Sequence, residues 1–311
     1  MYNILLHQKY YTSMDWVVHP LSDHKSQKNS PGKRPLVKDW AKLDKPLNDD
    51  DINRHFYNKE DRNIGLVCGS ASGVTVIDFD EMIFQEYLTK GLDTSEWIMS
   101  NRTGDRGHVF FRYDPELRQR MGDYIKIDIL TDNEKGGGSN VVLPPSTHAS
   151  GQIYKFNRMP GSMDDVPGMP TEFKERLLNL IETEDHFKQV LGKCRKWVKE
   201  YFNNPDILHG GDGRRCMLAL TAEMLTNGLS DEGVRFISKI VYGPDYDEAR
   251  TKQELQYIEK TPWTSDRLCS EFPEYCNEKN TKGKRPEKQS DKKQINTKEK
   301  AERVYPNEVA K

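Results

Sequence analysis

The sequence predicts an α+β protein, in which a mixed or antiparallel sheet with a few helices is followed by a small helical bundle. Two observations predict it. Five short apolar runs, IGLVCG, GVTVIDFD, HVFFRY, DYIKIDIL and NVVLPPS, occupy the stretch from about residue 63 to 146. Each is rich in Val, Ile or Phe and bounded by Gly, Asp, Asn or Pro, which is the pattern of strands. After about Pro160 the texture changes. EFKERLLNLIE, HFKQVLGKCRKWVKEYF, RRCMLALTAEMLTNG, DEGVRFISKIVYG and DEARTKQELQYIEKT each place apolar residues three and four apart, as helices do.

Taken in order, residues 1 to about 60 are mixed, with a loop rich in Ser, Lys, Asn and Pro from Ser22 to Lys33. Between the second and third strand-like runs, EMIFQEYLTKGLD sets Met82, Ile83, Phe84, Tyr87 and Leu88 at helical spacing, and Gly91 closes the helix. PGSMDDVPGMP reads as a linker by composition. In the helical half, Gly228 is a C-cap candidate and Ser230 an N-cap candidate for the next helix. The expected organisation is a first domain over 1–160, a linker over 161–171, a helical bundle over 172–276 and a basic tail over 277–311. That tail has almost no apolar content and reads as disordered.

A chain of 311 residues is long enough for two domains, each with its own core. Hydrophobic residues are 35% and charged residues 31%, and no run approaches the roughly 18 apolar residues of a membrane span. The opening MYNILLHQKYYTSMDW is too polar for a signal peptide, so a cytoplasmic protein with no membrane partner is expected. The net charge of −2 excludes a chain that grips nucleic acid with its whole surface. Its distribution is uneven: residues 277–311 carry eleven Lys or Arg against six Asp or Glu, which leaves the rest acidic. The five cysteines form no C-x-x-C pair, so a zinc ribbon is not expected. Cys269 and Cys276 bracket SEFPEY; reduced thiols are the expectation, with a local disulfide or half a metal site as alternatives.

The chemistry concentrates in four segments. In GVTVIDFD, strand alternation turns Asp78 and Asp80 to one face and Ile77 and Phe79 to the other. Two carboxylates one pleat repeat apart, about 7 Å, can share divalent cations. The alternative is a solvated strand end that caps the next helix. In IKIDIL, Asp128 is a lone acid on the face of Lys126 and Leu130, opposite Ile125, Ile127 and Ile129. In RTGDRGHVFFRY, His108 opens a strand on the face of Phe110 and Arg112, after Gly104 and Gly107. Beside metal and phosphate such a histidine donates a hydrogen bond; otherwise it is structural. The fourth, KGGGSNVVLPPSTHASGQIY, joins Gly136, Gly137 and Gly138 to a strand and a Pro-Pro turn. Those glycines are either a phosphate-facing backbone or a hairpin tip.

These elements, in this order, resemble the archaeo-eukaryotic primase superfamily, and most closely the primase–polymerase (prim-pol) proteins of archaeal plasmids and related mobile elements. KRPLVKDW and NIGLVCGSASG are similar to that family's lead-in, and the resemblance spans about residues 30–157. It implies an RRM-like catalytic domain, a DNA primase and polymerase activity, and two Mg²⁺ or Mn²⁺ ions held by Asp78, Asp80 and Asp128. It implies that His108 contacts the phosphates of the incoming nucleotide. The family's second motif is commonly Ser-x-His, whereas Arg106 stands two before His108 here; Arg106 and Arg112 are the expected charged phosphate contacts, and Ser146 and His148 the nucleotide-side loop. More loosely, the helical half resembles the bundle that assists primer initiation, with Arg214, Arg215 and Lys196, alongside Lys193, Arg195 and Lys199, as candidate DNA contacts or a solvated basic face. Expected partners are single-stranded template, primer, nucleoside triphosphates and a helicase, fused or separate. The alternative function is a replication-initiator or origin-binding protein without polymerase activity. A nicking enzyme of the common type would need His-x-His, which does not occur.

Overall fold

The computed structural model describes residues 3–59, 61–103, 106–203, 213–242, 247–259 and 265–271. The expected α+β arrangement is present as three layers. In chain order the first half contains α1 (Ile4–Thr12), β1 (Val18–Leu21), α2 (Asp49–Phe56), β2 (Asn63–Val67), β3 (Val74–Phe79), α3 (Met82–Thr89), β4 (Ile98–Thr103), β5 (Arg106–Arg112), β6 (Ile127–Leu130), β7 (Asn140–Leu143) and β8 (Lys155–Phe156). The second half contains α4 (Thr171–Lys193), α5 (Lys196–Asn203), α6 (Gly213–Thr226), α7 (Asp231–Tyr242), α8 (Glu248–Glu259) and α9 (Ser265–Glu271). Among the described residues, no helix is long and apolar enough to cross a membrane.

The strands form two antiparallel sheets. One has the order β1-β2-β7 and the other β6-β3-β5-β4-β8. Both faces of the five-stranded sheet carry apolar cores, and alternation along β3 divides its apolar side chains between them. Val74 and Val76, with Ile98, Phe110 and Leu130, face the smaller sheet and the α1 and α2 helices. Ile77 and Phe79, with Val109, Phe111, Ile127 and Ile129, face α3, α4 and the rest of the helical half. Beneath the first face an aromatic column forms, in which Trp16 stacks on Tyr11 at 5.6 Å and on Phe110 at 6.1 Å.

Local chemistry explains the boundaries. Asn48 caps α2 by accepting from Asp51 N–H, and three aspartates occupy the first turn, where the helix dipole favours them. Gly91 and Gly228 follow their helices with positive φ, and Ser230 accepts from Gly233 N–H at the start of α7. The strand expected over DYIKIDIL is shorter than its sequence pattern. Lys126 takes φ +52°, which ends the extended run, so only Ile127–Leu130 pairs with β3. Conversely, the helical pattern is longer than expected across TED, because α4 continues through Glu184 to Lys193.

Three expectations meet a different environment. Residues 161–170, linker-like in composition, pack against the sheet: Val166 is fully buried, and Trp16 Nε1 contacts Met163 Sδ at 3.0 Å. Cys269 is in a disulfide rather than a reduced thiol, and Cys276 lies outside the described residues, as does the basic tail. The glycine run does not present backbone to a ligand. Gly136 and Gly137 N–H groups donate to Asn133, and Gly138 N–H donates to the Ala41 carbonyl. A Cβ on Gly138 would lie 2.3 Å from the Cys68 carbonyl oxygen, a backbone atom that cannot swing aside. Gly138→Ala is therefore expected to destabilise the fold by about 1–3 kcal/mol through overpacking. Chemical denaturation checks this; an unchanged midpoint would return the run to a solvent-facing hairpin tip.

Candidate active site

The site is built around β3, which has β6 on one side and β5 on the other. Asp78 is registered opposite Asp128 of β6 on one side and opposite His108 of β5 on the other. His108 is in turn opposite Ser100 of β4, which is opposite Phe156 of β8. Directly opposed residues share a face of the sheet. Asp128, Asp78, His108 and Ser100 therefore form one polar row across four strands, on the face whose next row is Leu130, Val76, Phe110 and Ile98. Asp78 and Asp128 stand directly opposite each other on one face. Asp80 follows one pleat repeat beyond Asp78, and its N–H donates to the Lys126 carbonyl.

His108 is held from three directions. Its Nδ1 lies 3.0 Å from Ser100 Oγ, its Nε2 faces Asp78 Oδ2 at 3.6 Å, and the Tyr154 ring stacks on it with centroids 5.7 Å apart. An open cleft above the row is lined by Asp78, Asp80, Ser100, Asn101, Gly107, His108, Tyr154 and Lys33. Asp128 borders Asp78 outside that lining. Its Oδ1 accepts from Gly122 N–H at 3.0 Å. Gly122 is required there, since a Cβ would meet the Ile127 carbonyl oxygen at 2.5 Å. Burial pushes the Asp128 carboxyl up to about 6, and the charges of Asp78 and Asp80 push in the same direction, against the Gly122 hydrogen bond and Lys126.

The row brings the carboxylates of Asp78 and Asp128 side by side, with Asp80 one repeat beyond and Lys33 on the cleft wall. Among the described residues, no group of three or more His, Cys, Asp or Glu is arranged to hold a metal unaided. Carboxylate oxygens still suit a hard divalent cation. Mg²⁺ commonly binds through one or two carboxylates and completes its shell with water and substrate phosphate.

The remaining expected residues fall in different places. His148 is half-buried at the rim, with its ring 6.2 Å from Tyr154, which links it to His108. Ser146 is fully buried, and its hydroxyl accepts from Ile64 N–H, so it fastens the loop to β2 rather than facing the cleft. Arg112 shares the His108 face but sits at the far end of β5, opposite Val74. Its guanidinium donates to the Val166 and Asp164 carbonyls. Four residues of strand separate it from His108, about 13 Å, so it does not reach the row. The side chains of Arg106, Arg214 and Arg215 lie outside the described residues. Lys196 is exposed and pairs with Glu200, while Arg195 pairs with the buried Glu223, and Lys199 donates to the Gly192 carbonyl. Ser100, Tyr154 and Lys33 were not expected in the site.

A family model described as bifunctional DNA primase/polymerase, N-terminal, matches residues 8–172, more than half of the chain. The chain belongs to the Prim-Pol family. The match encloses both sheets and the whole polar row, and it ends just inside α4. DNA and nucleoside triphosphates are the substrates this family implies. No curated protein matches the chain.

The acidic row carries a stability penalty that can be measured. Folding raises the pKa of Asp128 from its ordinary 3.8 to about 6, so the folded state binds the extra proton between those values. Stability of the metal-free protein then falls as pH rises through that window. Asp128→Asn keeps the acceptor for Gly122 and removes the charge. It is expected to stabilise the metal-free protein at pH 7 by about 1 kcal/mol, a figure discounted because the carboxyl is half open to solvent. The gain should vanish below about pH 4. Thermal unfolding in chelator at pH 4 and pH 7 tests this; a variant less stable than the parent at pH 7 would contradict it.

Proposed function

We propose that this Prim-Pol chain makes and extends primers by template-directed nucleotidyl transfer, in the replication of an archaeal-type plasmid or other mobile element. One observation carries the reading: Asp128, Asp78 and His108 stand side by side on one sheet face, with Asp80 one repeat beyond. A surface that only binds DNA gains nothing from clustered carboxylates facing phosphate.

In this reading Asp78, Asp80 and Asp128 hold two divalent cations, Mg²⁺ or Mn²⁺, which when bound lower the pKa of the attacking 3′-OH and offset the charge of the triphosphate. The chain's own residues provide position. His108 donates to a phosphate oxygen, and its orientation is fixed before substrate arrives by Ser100 on one side and Tyr154 on its ring face. Lys33 brings a cation to the cleft wall, suited to a phosphate. His148 stands at the rim behind Tyr154, where it can meet the nucleotide. Phosphoryl transfer needs little beyond such positioning and charge stabilisation. Arg106 adds a phosphate contact at the mouth of β5, and Arg214, Arg215 and Lys196 of the helical half contact the template. A helicase, fused or separate, opens the duplex ahead of it.

Extension of a labelled primer on a template with Mg²⁺ or Mn²⁺ tests the reading. Asp78→Ala and Asp128→Ala are each expected to reduce incorporation at least about 10³-fold while the folded spectrum is kept. Substantial synthesis by either variant removes the metal assignment. DNA binding without any incorporation by the parent chain would favour a replication initiator.

A further inference from the structure

We infer that Glu184, on the helical side of the molecule, is a positioning residue for the acidic row, acting through the loop that enters β6. The inference rests on the metal-binding reading of Asp80 and Asp128.

Glu184 lies in the middle of α4 with no solvent exposure. A buried carboxylate is costly unless its oxygens are matched by donors. Those donors come from one short loop. Glu184 Oε1 accepts from the N–H groups of Tyr124 at 2.6 Å and Ile125 at 3.1 Å, and Oε2 accepts from Arg120 Nη2 at 2.8 Å. The next turn of α4 holds the same loop: Asp185 pairs with Arg120, Lys188 pairs with Asp123, and Phe187 packs edge-on against Tyr124 with centroids 4.8 Å apart.

The loop touches the row at two points. At one end Gly122 N–H donates to the Asp128 carboxylate. At the other, the Lys126 carbonyl accepts from Asp80 N–H. Lys126 holds φ +52°, a conformation uncommon outside glycine, so this carbonyl is aimed by a backbone that something must hold in place. Asp80 follows directly after β3 and Asp128 lies in β6, and residues 122–126 are a piece of backbone that contacts both. Glu184 fixes the middle of that piece by two N–H groups, and so sets the spacing between Asp80 and Asp128. It touches no substrate itself. Its effect is on how well the carboxylates meet a cation.

The test uses the full chain and Mn²⁺ as the probe, with primer extension titrated against Mn²⁺ and direct Mn²⁺ binding followed by electron paramagnetic resonance. Glu184→Gln is expected to raise the Mn²⁺ midpoint by about tenfold, the range typical of outer-shell changes, with the rate at saturating Mn²⁺ within about threefold of the parent. Asp185→Asn, which alters the same arginine without touching the loop backbone, is expected to leave the midpoint within about twofold. A folded Glu184→Gln chain with an unmoved midpoint overturns the inference, as does an equal shift in Asp185→Asn. If Glu184→Gln does not fold, Lys188→Met replaces it, with a shift of about threefold in the same direction expected and no shift overturning. Extension by the parent chain without any divalent ion is a different outcome; it removes the metal reading on which the inference stands.

Discussion

The place of β3 between β6 and β5 is the constraint on which the rest depends. It is hydrogen-bonded on both edges, to β5 and to β6, and its alternation is fixed by burial on both faces. A slip of one residue in either pairing would turn Ile77 and Phe79 out of one core and push Asp78 into it. Burying an unpaired carboxylate costs several kcal/mol, so the register is specified by the same hydrophobic pattern that folds the sheet. The alignment of Asp78 with Asp128 and His108 is therefore not a separate achievement of the site. It follows from where Val74, Val76, Phe110 and Leu130 must go.

The row also shows how a fold tolerates chemistry that opposes it. Asp128 is pushed toward protonation by burial and by its carboxylate neighbours, and Gly122 and Lys126 act against this. Directly beneath, the Tyr11, Trp16, Phe110 and Phe156 cluster supplies the kind of contact that stabilises a sheet face most per residue. Tyr11 further ties the column to the loop after β7, through its hydroxyl to the Pro144 carbonyl at 2.6 Å. A stiff apolar row next to the Asp78 and Asp128 carboxylates holds the strands together against their mutual repulsion. Preorganisation of this kind is what phosphate chemistry requires.

Much of this was legible in the sequence, and the parts that were not share a cause. Period-two alternation placed Asp78 and Asp128 on definable faces, and a strand pattern in HVFFRY placed His108 at its start. What alternation lacks is distance and partnership. Arg112 does share the face of His108, but it stands four residues along the strand, where nearby carbonyls engage it. Ser100 lies in IMSNRT, whose pattern is too mixed to read as a strand, and its proximity to His108 arises only from pairing between β4 and β5. Ser146 and the Gly136–Gly138 run sit in loop-like sequence, and composition does not distinguish a loop residue facing solvent from one turned inward to a backbone partner. Glu184 fell in a polar stretch that reads as a break between helices, because nothing local reveals that two backbone N–H groups about 60 residues earlier will satisfy it.

The same reasoning bears on what counts as the functional unit. The family match ends at residue 172, one residue after α4 begins. Yet the second face of the five-stranded sheet is covered by helices beyond that boundary. Phe173, Leu177, Leu180 and Phe187 of α4 share a continuous core with Ile77, Phe79, Val109, Phe111 and Ile127. A chain cut at the family boundary would expose that face of β3, β5 and β6, the three strands that carry Asp78, His108 and Asp128. At about 25 cal/mol per Å² of apolar surface, uncovering several large side chains at once outweighs the few kcal/mol by which a domain is stable. The bundle is thus a structural layer of the sheet that carries Asp78, His108 and Asp128.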